Sequence, residues 1–152
     1  MSATLEYGTN RGTEAQIVEH LRKCDANFVP ALSERVSLDE YARKIVEQAV
    51  RFEAWADGEL IGLVAAYCND AKSGTAYITN VSVVPGWVGR GGASALMSDC
   101  IAHARKSGFR RIALEVGREN SRAMVLYEKF GFVAGEPREG IVPMELIVEG
   151  EA

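Results

Sequence analysis

Histidine, cysteine and proline are all scarce in this chain, at two, three and four residues. The cysteines, Cys24, Cys68 and Cys100, are odd in number and widely spaced, with no Cys-x-x-Cys and no Cys/His pair. That rules against a disulfide framework and a zinc site, and no metal is expected. Each lies among apolar neighbours and reads as a small core residue, so a reducing cytoplasm is the expected compartment. No apolar run approaches the ~20 residues of a membrane helix. Met1 to Glu6 lacks a basic segment followed by an apolar one, so no signal peptide is expected. Excess positive charge is missing as well: the net charge is -4, whereas a nucleic-acid binder shows a basic balance or stripe. Neither nucleic acid nor membrane is therefore an expected partner. The densest basic stretch, Arg110-Arg111 followed by Arg118, Arg122 and Lys129, is local, and suits either a small anionic ligand or ordinary surface.

What is present is an average globular composition, 47% hydrophobic and 25% charged, over 152 residues. That is enough for one core, and a single domain over 1–152 is expected. Ile17, Val18 and Leu21 share one face of a helix over Thr13–Lys23. Pro30 interrupts the segment that follows. Ser37-Leu38-Asp39-Glu40 reads as a capping box ahead of a helix carrying Leu38, Tyr41, Ala42, Ile45, Val46 and Ala49 at helical steps. Strands are expected over Phe52–Ala56 and Leu60–Cys68, joined by the hairpin signal Asp57-Gly58, and over Thr75–Val84. These three should form an antiparallel meander.

A glycine-rich loop over 85–92 opens onto a helix over Ala93–Ser107, closed by Gly108. A strand over Arg111–Val116 should run parallel to the one before, because a helix joins them. A helix starting at Asn120 or Ser121 runs to Phe130 and closes at Gly131. Phe132–Glu149 reads as two short strands around Arg138-Glu139-Gly140. The sum is an α/β fold, a mixed sheet with helices on its faces.

Gly89, Gly91 and Gly92 lie where a strand turns into a helix. The first N–H groups of a helix have no internal partner, and the helix dipole adds partial positive charge, so such a turn can hold a phosphate. No Lys-Ser/Thr follows, as a Walker A loop requires. Gly89-Arg90-Gly91-Gly92-Ala93-Ser94 also lacks the third glycine of a dinucleotide fingerprint. A plain structural turn is the competing reading.

Residues 77–132 resemble the GNAT superfamily of N-acetyltransferases. The resemblance rests on Val81-Ser82-Val83-Val84-Pro85, Val88-Gly89-Arg90-Gly91-Gly92-Ala93 and Leu114-Glu115-Val116. Its most specific part is the run from Asn120 through Leu126-Tyr127-Glu128-Lys129-Phe130-Gly131-Phe132. It implies a GNAT-like fold in which an N-terminal antiparallel meander joins a parallel strand pair, with helices on both faces. It also implies acetyl-CoA as cosubstrate. Gly89, Arg90, Gly91, Gly92, Ala93 and Ser94 would hold the pyrophosphate. Val81, Ser82 and Val83 would pair with the pantetheine arm, and Asn120 and Tyr127 would lie on its far side. Val88 stands where the family often has Arg or Gln, and Gly92 where it usually has an aliphatic residue.

Acyl transfer from a thioester to an amine needs a neutral amine, a donor for the oxyanion and a proton or hydrogen bond for the departing sulfur. Tyr127, two helical turns after Asn120, is the candidate proton donor; a core tyrosine is the alternative. Glu115 points away from Leu114 and Val116 and is the candidate base, directly or through a water; a solvated strand glutamate is the alternative. The resemblance adds that ribosomal-protein N-terminal acetyltransferases carry a base at this place. A backbone N–H near Val83 would serve the oxyanion.

His20 and His103 read as surface or helix-packing residues. Trp87 covers CoA or caps its loop, and Trp55 packs within a strand. Substrate selection should come from residues 28–35 and the hairpin near 136–142, with Phe28, Tyr67, Asn80, Asn69, Asp70 and Tyr77 near the acceptor. The expected activity is N-acetylation of a primary amine in a ternary complex, the acceptor a small molecule or amino sugar. A peptide N-terminus, a non-catalytic CoA sensor and an unrelated nucleotide-phosphate binder are the alternatives, and a homodimer stays open.

Overall fold

The computed structural model describes residues 4–28, 31–70 and 72–148. Helix α1, Glu14–Cys24, begins at a full capping box: the Thr13 hydroxyl accepts the Gln16 N–H, and the Gln16 side chain accepts the Thr13 N–H. Helix α2, Leu38–Gln48, has only half of the expected box, Ser37 accepting the Glu40 N–H. The sheet contains β1 (Glu6–Thr9), β2 (Ala49–Ala56), β3 (Glu59–Tyr67), β4 (Thr75–Val83), β5 (Arg111–Gly117), β6 (Val133–Ala134) and β7 (Ile141–Ile147). Helix α3 spans Gly92–Lys106 and α4 spans Ser121–Lys129.

The strands lie in the order β1-β2-β3-β4-β5-β7-β6. Among the described strands only β4 and β5 run parallel. Asp57 and Gly58 both have positive φ, 51° and 78°, as the tight primed turn between β2 and β3 requires.

Three departures from the sequence reading stand out. β1 was not anticipated; it pairs with β2 at the sheet edge. β2 starts at Ala49 rather than Phe52, because Ala49 is already extended and pairs with Tyr67. An apolar residue there satisfies the helical and the strand period alike. In the tail, β7 is a full strand inserted between β5 and β6, so the closing hairpin joins the sheet along its whole length.

Each face of the sheet carries its own helices. Ile17 and Leu21 of α1 and Ala42 and Ile45 of α2 cover Trp55, Leu60, Leu63 and Ala65 on one side. Leu96, Met97 and Cys100 of α3, with Tyr127 of α4, cover Phe52, Val64, Ile112 and Leu114 on the other. Each fully buried Leu or Ile among these contributes roughly 1.5–3 kcal/mol. β1 is tied down by a charged core. The Glu53 carboxylate, 0% exposed, accepts the N–H groups of Arg11 and Gly12, the Trp55 indole N–H and the Arg51 guanidinium.

The decisive irregularity is in β4. Opposite β3, Ala66 pairs with Ile78 and Ala65 with Asn80, leaving Thr79 as an extra residue. Such a bulge bends its strand and sharpens its twist. Pairing between β4 and β5 covers only Thr75–Tyr77 against Arg111–Ala113 and stops just before the bulge. Past that point the two strands diverge, and among the described residues one edge of Ile78–Val83 has no strand partner. The Tyr41 hydroxyl of α2 donates to the Thr79 carbonyl at 2.6 Å and pins the bend.

Candidate active site

Between the diverging strands lies a cleft of about 710 Å³, walled by β4, β5, the 85–94 turn, α4 and the 28–36 segment. The turn is built on glycine. Gly89 and Gly91 have φ of 85° and 84°, a left-handed conformation that side chains with a Cβ adopt at a cost. Gly91 is the N-cap of α3, and a Cβ at Gly91 or Gly92 would meet no atom within 4 Å. The turn is therefore open and not filled by its own side chains. Gly92, Ala93 and Ser94 supply the first N–H groups of α3, which have no carbonyl inside the helix to donate to.

Positive charge is close by. The Arg122 guanidinium lies 3.6 Å from where a Cβ on Gly89 would be, and Arg122 and Lys129 line the cleft. Arg110 and Arg111 are employed elsewhere: Arg110 donates to the Ser73 carbonyl, and Arg111 faces Glu145 at 3.8 Å.

Across from the turn, Asn120 caps α4 by accepting the Ala123 N–H at 3.2 Å. Two turns on, Tyr127 is 7% exposed and packs against Phe132, yet it lines the cleft. Among the described residues its hydroxyl has no hydrogen-bond partner. Burial pushes this phenol up to about 12, so it keeps its proton at neutral pH. Glu115, exposed on β5, accepts a long hydrogen bond of 3.4 Å from the Tyr77 hydroxyl. Burial first, and then the Glu115 charge, push Tyr77 up to about 12 as well, so Tyr77 acts as a donor to that carboxylate.

Most residues singled out from the sequence meet here: Phe28, Asn80, Val81, Ser82, Val83, Gly89, Gly91, Gly92, Ala93, Ser94, Glu115, Asn120 and Tyr127 all line the one cleft. Arg90 instead stacks over Trp87 at 4.8 Å, and it is Trp87 that reaches the wall. Tyr67 does not line the cleft; Lys44 lies over its ring at 5.2 Å. Asn69 and Asp70 are also turned away, the first donating to the Gln48 carbonyl and the second accepting from Ser73. Val29 and Pro30 of the anticipated substrate segment lie outside the described residues.

Tyr41 and Thr79 were missed, although both border the cleft. A tyrosine at an apolar helix position reads as packing, and nothing in the sequence announces the bulge. His20, read as a surface or packing residue, is 1% exposed and sits in a polar chain behind β4. His103 packs edge-on against Phe52. Cys24 and Cys100 are buried and Cys68 half-buried, all with free thiols. Among the described residues no helix is long and apolar enough to cross a membrane. Nor do three or more His, Cys, Asp or Glu side chains gather there as a metal site.

The model of the acetyltransferase (GNAT) family matches residues 15–132. An uncharacterized N-acetyltransferase of Methanocaldococcus jannaschii is 35% identical over 97 residues, covering 61% of this chain and 43% of that protein. The chain thus spans less than half the length of the curated relatives it matches. Among solved structures, the ribosomal-protein-S18-alanine N-acetyltransferase of Escherichia coli superposes with a TM-score of 0.77 at 19% identity, covering 97% of each chain. An N-acetyltransferase of Thermoplasma acidophilum, solved in complex with coenzyme A, gives 0.72 at 17% identity, covering 95% of this chain and 98% of that one.

Proposed function

Because the chain belongs to the GNAT acetyltransferase family, we propose that it moves an acetyl group from acetyl-CoA to a primary amine by direct attack in a ternary complex. The observation that carries this reading is the coincidence, in one cleft, of an open glycine turn at a helix mouth, an unpaired β4 edge and a phenol without a partner.

The donor set fits the ligand. The N–H groups of Gly92 to Ser94, with Arg122 beside them, suit a diphosphate. The free edge of Val81–Val83 suits the amides of the pantetheine arm, as it would a neighbouring strand. When bound, acetyl-CoA supplies a thioester-activated acetyl group. Tyr127 holds its proton ready for the departing sulfur, and Glu115 takes up the proton the amine gives away, directly or through water. A thiol with a pKa of ~8.5 already leaves fairly well, so Tyr127 assists and is not indispensable. Phe28, Tyr41 and Tyr77 give the acceptor side an aromatic, half-polar wall that suits a small amine or amino sugar.

The reading is tested by following free-thiol release from acetyl-CoA across a panel of small amines, amino sugars and peptides. Release with one class identifies the acceptor. Acetyl-CoA binding without release from any of them favours a CoA sensor instead.

A further inference from the structure

We propose that the open face of β5, β7 and β6 joins two copies of this chain about a two-fold axis, with Arg111 of each copy set against Glu145 of the other. None of Arg111, Val133, Glu145 and Ile147 lines the cleft, so the surface is independent of what the cleft binds.

Side chains alternate along a strand, so each of these strands has one side in and one side out. Ile112, Leu114 and Val116 of β5 and Val142 and Met144 of β7 are buried beneath α3 and α4. The opposite side carries Arg111, Ala113 and Glu115 of β5 and Pro143, Glu145 and Ile147 of β7. Register sets Val133 of β6 across from Glu145. Helices α1 and α2 lie on this side, but among the described residues their buried cluster takes in β2 and β3 and no residue of β5, β6 or β7. An antiparallel face left open to water is ordinarily polar. Here Val133 is 70% exposed and Ile147 57%, and both line a groove of about 690 Å³ with Pro143 and Glu145.

The charges in this face select what can cover it. Arg111 Nη1 and Glu145 Oε1 stand 3.8 Å apart, beyond hydrogen-bond reach, with both side chains half-exposed. Arg111 Nε is buried without a hydrogen-bond partner among the described residues. Within one chain, guanidinium and carboxylate are thus both short of partners. A partner of one sign would meet one of them and repel the other. A surface with one guanidinium and one carboxylate at the same spacing meets both, and this face is itself such a surface. A two-fold axis lying in the contact plane and passing between Arg111 and Glu145 sets each against its opposite, as an isologous contact requires. Ile147, paired with Arg111 across the strands, then falls near the axis against its own copy. A patch three short strands wide belongs to the small, weak class of interfaces.

Sedimentation velocity of the full chain from about 1 to 300 µM should therefore show a dimer that grows with concentration. Arg111→Glu and Glu145→Arg should each stay monomeric, because like charges then meet across the axis. An equimolar mixture of the two should recover the dimer, because every facing pair is again opposite in sign. A monomeric wild type leaves the face to some other partner and overturns the proposal. So do single reversals that still dimerise, or a mixture that stays monomeric. Ile147→Lys alters an exposed side chain and should also be monomeric. If a reversal fails to fold by circular dichroism, that variant decides: a dimeric Ile147→Lys overturns the proposal.

Discussion

At the scale of single residues, Tyr127 and Glu115 are the clearest targets. Tyr127→Phe removes one hydroxyl and no packing. It should lower kcat by about 10–100-fold while leaving acetyl-CoA affinity unchanged in calorimetry. His20 makes a prediction about stability. Its folded pKa, about 4, lies below the ordinary histidine value of 6.5, so the unfolded chain binds more protons between those values. Its contribution is complete above pH 6.5 and is lost as pH falls toward 4, by up to about 3 kcal/mol. Urea denaturation should show the wild type losing stability across that window more steeply than His20→Gln. Tyr127 and Asn120 could be placed on one wall from the sequence because they lie two helical turns apart, and both line the cleft. His20 could not be placed, because its partners come from β3 and β4, 40 and 62 residues on. A lone histidine on an amphipathic helix carries no mark of what it will meet.

At the scale of elements, the helices and the central strands were readable because periodicity and capping are local. The hairpin at Asp57-Gly58 and the helix stops at Gly108 and Gly131 follow from residues that tolerate positive φ. β1 was unreadable for the opposite reason. Glu6-Tyr7-Gly8-Thr9 has no apolar alternation and becomes a strand only because β2 offers it an edge. The Thr79 bulge is likewise set by the register of β3 and by Tyr41, not by its own residues. Tyr41→Phe should therefore cost about 1–2 kcal/mol in thermal or urea unfolding, since the Thr79 carbonyl loses its donor. It should also reduce turnover more than a surface tyrosine would. In the phosphate turn, Gly91→Val forces a β-branched residue to a φ of 84°. Acetyl-CoA affinity should fall at least tenfold by calorimetry, while the far-ultraviolet spectrum stays helical.

At the scale of the whole molecule, the buried Arg51–Glu53 pair joins β1 and the entry to α1 to the rest of the sheet. Glu53→Ala leaves a guanidinium uncompensated and should destabilise the protein by about 3–5 kcal/mol, read from the urea midpoint. The mixed sheet with helices on both faces could be read from the order of elements. The position of the cleft could not, since it depends on where a parallel pair stops pairing. Only three residues of β4 meet β5, so the middle of the molecule resembles an arch missing its central stone. A long, amide-bearing guest lodged there would fill the gap and tie the parted ends of β4 and β5 together. Saturation with such a guest should slow amide hydrogen exchange in β3, β4 and β7 together, far beyond the atoms it touches.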